Sequence, residues 1–135
     1  MKLVIDSNIV FSALISPNGI TKRILLLEEL ELFGPQNLFD EINKYKEEIF
    51  KKSGLTQEQF EIFLIVVSSR INLITDEELA DFIEKADEIC PDPNDTAFFA
   101  LSMAKGIPLW SNDKELKKQN VVKVINTEEL VKMID

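Results

Sequence analysis

The chain has 135 residues, of which 45% are hydrophobic, and this length and composition suit one domain over residues 1–135 with a core of its own. A single cysteine, Cys90, rules out an internal disulfide, and the absence of histidine argues against a zinc site and excludes Ser-His-Asp catalysis. The formal net charge of −9 argues against a broad phosphate-binding surface, but it allows a small nucleic-acid site where a cation supplies positive charge. Because we find no membrane-spanning stretch and no signal peptide, we expect a cytoplasmic protein without a membrane partner.

The first half of the chain alternates short apolar runs, which predict buried strands, with stretches of helical spacing. The predicted elements are a strand at 2–5, a helix at 8–15, a helix from Thr21 with Ile24, Leu25, Leu27 and Leu30 on its apolar face, a strand at 32–34 and a helix capped by Asn37 with Leu38, Ile42, Tyr45 and Ile49 at helical spacing. Pro35 is expected to stop the second strand, because proline cannot donate to a sheet ladder.

The second half continues the same alternation. Its predicted elements are a helix at 60–69 opened by a capping box at 56–59, a strand at 71–74, a helix at 77–89 capped by Thr75, a helix opened at 92–95 and closed by Gly106, a strand at 108–110, a short basic helix after Asp113, a strand at 121–125 and a last helix from Thr127. Short strands that alternate with helices predict an α/β fold with a mainly parallel sheet.

Carboxylates follow the predicted strands or open the predicted helices, so they share one edge of the sheet. Asp6 ends the first strand, and Glu41 lies in the first turns of the helix after the second strand. Asp92 and Asp95 open the helix before the fourth strand, and Asp113 follows that strand. If the first and fourth strands are neighbours, this edge also holds the crevice where the strand order reverses.

Converging carboxylates without a basic partner repel one another, and a divalent cation removes that repulsion. Carboxylate and amide oxygens suit Mg²⁺ or Mn²⁺, which can activate water and neutralise charge on a phosphodiester. Structural alternatives stay open for single residues. Asp6 or Ser7 could cap the next helix, Asp92 could cap the helix that has Pro93 at its first position, and Asp113 could cap the short basic helix. Glu41 alone would be an ordinary surface glutamate.

Four segments, in order, resemble the motifs of the PIN domain family, and especially its small single-domain, toxin-type (VapC-like) members. The first is L-V-I-D-S-N-I-V-F-S-A-L, a strand that ends in Asp-x-Asn, and the second is P-Q-N-L-F-D-E-I, where a glutamate follows the second strand. The third is D-P-N-D-T-A-F-F-A-L-S-M-A-K-G, an aspartate that opens a helix, and the fourth is L-W-S-N-D-K-E-L.

The resemblance implies a three-layer α/β/α sandwich with a five-stranded parallel sheet, and a metal-dependent nuclease that acts on RNA. Transferred onto this sequence, the catalytic and metal-binding acids are Asp6, Glu41, Asp95 and Asp113, with Asn8, Ser111 and Asp92 as supports. Many relatives have threonine where this chain has Ser111. The resemblance also implies a homodimer and an inhibitory antitoxin protein.

The sequence therefore favours a Mg²⁺- or Mn²⁺-dependent endoribonuclease, the toxin of a toxin–antitoxin pair. Lys114, Lys117 and Lys118 are candidates to contact RNA phosphates, although they also fit a solvated helix face. Three alternatives remain. A non-catalytic PIN-like module would bind RNA or protein, a Mg²⁺-dependent phosphatase would need an acid where this chain has Asn8, and a receiver-like domain would need a phosphorylated aspartate after the third strand.

Overall fold

Five strands and seven helices alternate along residues 1–134, which are the residues that this computed structural model describes. The strands are β1 (Lys2–Ile5), β2 (Glu31–Pro35), β3 (Ile71–Ile74), β4 (Leu109–Trp110) and β5 (Val124–Ile125). The helices are α1 (Ser7–Ile15), α2 (Ile20–Leu25), α3 (Leu38–Ser53), α4 (Gln57–Ser69), α5 (Asp76–Ile89), α6 (Thr96–Lys105) and α7 (Thr127–Ile134).

All strand pairs are parallel and form one sheet in the order β3-β2-β1-β4-β5. The central strand β1 pairs with β2 on one side and with β4 on the other, so the strand order reverses between β1 and β4. The expectation that the first and fourth strands are neighbours is confirmed. The carboxyl ends of these two strands therefore border the crevice where open α/β sheets bind ligands.

Helices cover both faces of the sheet. Leu3, Val4 and Ile5 are successive residues of β1 and all three are fully buried, as expected for a parallel strand packed on both sides. Helices α1 to α4 pack on one another, whereas α6 packs on α5, β1 and β2. The three-layer α/β/α arrangement with a five-stranded parallel sheet is confirmed. None of the described helices is long and apolar enough to cross a bilayer.

Trp110, the only tryptophan of the chain, anchors β4 in the core. Its side chain is fully buried, and its indole Nε1–H donates to Thr127 Oγ1 at 3.0 Å, at the start of α7. The backbone N–H of Asp6 donates to the carbonyl of Trp110 at 3.1 Å. This ladder bond fixes the end of β1 beside the end of β4.

The helix predicted from Thr21 includes Leu27 and Leu30, but in the structure α2 ends at Leu25. A distant side chain accounts for this end. Arg70, the residue after α4, donates from Nε to the carbonyl of Leu25 at 3.2 Å and from Nη2 to those of Leu27 at 2.5 Å and Leu30 at 2.8 Å. These carbonyls are therefore held in a loop that leads into β2 instead of a continued helix.

Two smaller predictions were also wrong, whereas the predicted end of the second strand is confirmed. β2 ends at Pro35, one residue beyond the predicted bound, and Pro35 pairs with Ile74 because the last residue of a strand needs no further N–H donor. Asn37 already has a helical backbone and its side chain makes no cap hydrogen bond. The fifth strand is only two residues long, because the side-chain oxygen of Gln119 accepts the N–H groups of Val121 and Val122 at 2.9 and 2.8 Å.

The predicted helix starts at Thr56 and Thr75 are confirmed. Thr56 Oγ1 accepts the backbone N–H of Gln59 at 3.2 Å, and Gln59 Oε1 accepts that of Thr56 at 3.1 Å, which completes the capping box. Thr75 Oγ1 accepts the N–H of Glu78 at 3.4 Å. At both positions the residues that form the cap lie within one helical turn of each other.

We expect Arg70→Met to destabilise the fold by about 2–4 kcal/mol, because three backbone carbonyls lose a charged donor while the aliphatic stem is kept. Urea unfolding measures this change. Arg23→Met, at an exposed position of α2, is the matched control and should change stability by less than about 0.5 kcal/mol. Equal stability of the two variants would contradict the role assigned to Arg70.

Candidate functional site

A cleft of about 370 Å³ opens at the carboxyl ends of β1 and β4, between α1, α3 and the start of α6. Five of the sequence-predicted acids and supports, from different elements, meet there. The residues of the predicted set that line the cleft are Asn8, Glu41, Asp92, Asp95 and Asp113. The structure thus brings together carboxylates that are far apart in sequence, as the alternation of strands and helices predicts.

Asp6 is buried beside this cleft, at the junction of β1 and α1, with only 2% of its surface exposed. Burial raises the pKa of its carboxyl, and the charge of Asp113 raises it further. The hydrogen bond from Ser111 and the backbone N–H groups of Asn8 and Ser7 lower it, but the net pKa stays above the usual value. Oxygen Oδ1 of Asp6 is buried and has no hydrogen-bond partner among the described residues.

Ser111 joins the two strands at the point where the strand order reverses. Its side chain is buried, and its Oγ donates to Asp6 Oδ2 at 2.6 Å. The same Oγ accepts the backbone N–H of Asp113 at 3.1 Å. One hydroxyl therefore orients the carboxylate after β1 and the loop after β4, which agrees with the supporting position predicted for it.

Asp95 is the most perturbed acid of the cleft. Its backbone stands at the N-cap position of α6, but its side chain makes no capping hydrogen bond. Burial, and after it the charges of Asp6, Asp92, Asp113 and Glu41, together raise its pKa to about 7. The Asp95 side chain therefore makes no capping hydrogen bond, and the other carboxylates of the cleft repel its ionised form.

Glu41 lies in the first turn of α3 and reaches the same cleft. Burial raises its pKa, the Ser7 hydroxyl lowers it, the charge of Asp6 raises it and that of Lys44 lowers it, with a raised pKa as the net result. Ser7 is itself buried. The sequence suggested Ser7 only as a helix cap, and its place beside Glu41 became visible only once α1 packed on α3.

Asp113 and Asp92 both have the capping roles that the sequence left open. Asp113 Oδ1 accepts the N–H of Glu115 at 3.0 Å and caps a 3-10 helix at Lys114–Lys118. Asp92 Oδ1 accepts the N–H of Asn94 at 3.0 Å and caps the 3-10 turn at Pro93–Asp95. Each of these carboxylates has a second oxygen, so a cap role does not prevent either one from facing the cleft.

The remaining supports are placed less simply. Asn8 is exposed in the cleft and acts on Asp6 through its backbone N–H. Lys114, Lys117 and Lys118 follow Asp113 but do not line the cleft. Lys117 pairs with Glu129, and Lys118 Nζ lies 2.5 Å from Glu115 Oε2, so both have the surroundings of a solvated helix face.

Aromatic, aliphatic and charged residues also line the cleft, and the sequence reasoning missed them as site residues. They are Phe11 and Ile15 from α1, and Tyr45, Glu48, Ile49 and Lys52 from α3. The helical spacing predicts Tyr45 on the apolar face of its helix, but 41% of its surface is exposed. Its position four residues after Glu41 is the signal that could have placed it beside the acids.

The donor set fits a hard divalent cation. It consists of carboxylate oxygens without a basic partner inside the group, and it includes the unpartnered Oδ1 of Asp6. No three Asp, Glu or Cys side chains within residues 1–134 are arranged as a ready ligand group. A small hard cation such as Mg²⁺ keeps several of its waters, so waters would complete the coordination that the carboxylates begin.

We expect the metal-free protein to lose stability as the pH rises from about 4 to 7. The pKa of Asp95 is near 7 in the folded chain and near 4 when unfolded, so the folded state binds more protons in this interval. Asp95→Asn should flatten this dependence and stabilise the protein at pH 7.5 by about 1–2 kcal/mol, a figure reduced for solvent screening of a half-buried side chain.

Urea unfolding in EDTA between pH 4 and 8 measures this effect. Asp81→Asn, which removes an exposed charge from α5, controls for net charge and should keep the wild-type slope. Parallel pH profiles for wild type and Asp95→Asn would refute the electrostatic account of the cleft.

Comparison with known proteins places this fold and cleft in a family. The sequence matches the PIN domain family over residues 4–133. No curated protein sequence is significantly similar to the chain. A chain in the crystal structure of VapBC2 from Rickettsia felis, bound to a DNA fragment from their promoter, is similar in fold with a TM-score of 0.67. That alignment covers 93% of this chain and 98% of the other at 17% identity. The chain belongs to the PIN domain family.

Proposed function

We propose that this chain is a Mg²⁺- or Mn²⁺-dependent endoribonuclease, folded as one domain over residues 1–135. The observation that carries the proposal is the buried Asp6, which has one oxygen held by Ser111 and the other without a donor, beside a cleft lined by three further candidate ligands. Burying a carboxylate in this way is costly unless a positive charge compensates it. A divalent cation that also binds a phosphodiester would provide that compensation.

Each residue has a definite part in the proposed reaction, in which water adds to phosphorus and one P–O bond of RNA breaks. Asp6, Asp95 and Asp113 would hold the cation, which supplies activation of water and neutralises charge on the phosphate. Glu41, whose pKa is raised by burial, is suited to orient the attacking water and to accept its proton. Ser111 would orient Asp6 through its hydroxyl, and Asn8, at the start of α1, would support the site.

A second candidate function is a PIN fold that binds RNA or protein without cutting it. The observation that favours it is the lack of a ready three-ligand group within residues 1–134. Metal binding at Asp6 separates the two functions, since only the nuclease requires a cation there.

The same fold supports a proposal about partners. We infer that the chain is the toxin of a toxin–antitoxin pair and forms a homodimer, because its family match and its fold similarity to VapBC2 agree with the toxin-type motifs. Ile62, Ile65 and Val66 of α4 are 55%, 68% and 40% exposed, which gives α4 apolar surface available to a protein partner.

The central test is cleavage of single-stranded RNA with Mn²⁺ or Mg²⁺ by wild type and Asp6→Asn. Asparagine keeps the size of the side chain and removes the charge that would hold the cation, so we expect cleavage to fall about 100-fold or more. EDTA should abolish wild-type cleavage, and Asp81→Asn should cleave like wild type. Equal cleavage by wild type and Asp6→Asn would refute the assignment.

A second prediction concerns the hydroxyl that orients Asp6. We expect Ser111→Ala to weaken Mn²⁺ binding about 10- to 100-fold, because Asp6 loses its donor and the loop of Asp113 loses an acceptor. Ser111→Thr keeps the hydroxyl and should bind Mn²⁺ more tightly than Ser111→Ala. Isothermal titration calorimetry measures both affinities, and wild-type affinity in Ser111→Ala would contradict the prediction.

A further inference from the structure

The cleft continues from the acids along two facing helical surfaces. On α3, Glu41, Tyr45, Glu48 and Lys52 follow one another at spacings of four, three and four residues, so they share one face of the helix. Phe11 and Ile15 are the α1 residues that line the opposite wall beyond Ser7 and Asn8. The cleft therefore has an acidic end at the strand termini and an aromatic end along α1 and α3.

The aromatic end is built around Tyr45, the only tyrosine of the chain. Its ring meets that of Phe11 in an edge-to-face contact, with 5.8 Å between centroids and an angle of 73°. Lys44 Nζ lies over the Tyr45 ring, 5.4 Å from its centroid, and places a positive charge above one face. Phe11 thus holds the ring on the protein side.

Tyr45 is exceptional in its exposure. Within residues 1–134, all nine phenylalanines and Trp110 are buried or half-buried, whereas Tyr45 remains 41% exposed. An aromatic ring left partly uncovered in the same cleft as a reactive group has the chemistry of a stacking platform.

The negative charge of the protein indicates which part of an RNA strand the Tyr45 ring binds. With a net charge of −9 and an acidic cleft, this protein cannot obtain most of its RNA affinity from phosphate contacts. Stacking on a neutral aromatic face is independent of that repulsion, and unpaired bases of single-stranded RNA offer such a face. Four residues of helix separate Glu41 from Tyr45 by about 6 Å along the axis. One nucleotide of an extended strand can span this distance.

We propose that Tyr45 stacks an unpaired nucleobase of the RNA strand, one nucleotide from the phosphodiester at the acids, with Phe11 supporting the ring. This inference rests on the proposed nuclease function and deepens it, because it restricts the substrate to single-stranded RNA near the cleavage point. Duplex RNA keeps its bases stacked on one another and cannot present one to Tyr45.

The test uses the full chain, Mn²⁺ and a short RNA that carries 2-aminopurine, and stopped-flow fluorescence measures binding before turnover. Wild type should quench the 2-aminopurine fluorescence on binding, because the base stacks on the ring. Tyr45→Phe should bind and quench similarly. Tyr45→Ala should lose the quenching and weaken binding roughly 5- to 150-fold. Ile83→Ala, which removes exposed apolar surface from α5 outside the cleft, should behave like wild type.

Unchanged affinity and quenching in Tyr45→Ala would overturn the stacking site, as would a wild type that does not bind the oligonucleotide. These outcomes are independent of catalysis. If wild type cuts RNA and Tyr45→Ala has the same KM and quenching, the nuclease stands and the stacking site fails. If wild type does not cut RNA but quenches 2-aminopurine through Tyr45, the stacking site stands and the nuclease fails.

Discussion

The structure depends on keeping one carboxylate, that of Asp6, away from water at the end of the central strand. Such burial normally disfavours an ionised group, so its neighbours must offset the cost. Ser111 donates to one oxygen, and the first backbone N–H groups of α1 act on the same carboxylate. These contacts form because β1 and β4 are adjacent, and the Ser111 hydroxyl links the ends of the two strands.

The carboxylates around Asp6 repel one another, and this repulsion lowers the stability of the folded protein. Asp95 carries the largest share, because burial and four neighbouring carboxylates all disfavour its ionised form. A protein selected for stability alone would replace such a residue, so the repulsion fits a site arranged for a cation rather than for the fold. The sheet and its packed helices provide the stability that allows this strained arrangement.

Much of the fold could be predicted from the sequence because its signals are local. The strand–helix alternation and the cap at Thr56 involve residues within one turn or one strand. The end of α2 and the shortness of β5 could not be predicted, because the side chains of Arg70 and Gln119 decide them through backbone groups outside any periodic pattern. The convergence of the acids followed from parallel topology, whereas the exposure of Tyr45 depended on how α1 packs against α3.

The positions of the single tryptophan and the single tyrosine give this chain two built-in optical probes. Trp110 is fully buried immediately before Ser111, so its emission reports on the junction of β1 and β4 and shifts to longer wavelength when the core opens to water. Tyr45 stands on the wall of the cleft, and its emission responds to whatever covers that wall. The arrival of a ligand and the loss of the fold can therefore be followed separately in one unlabelled sample.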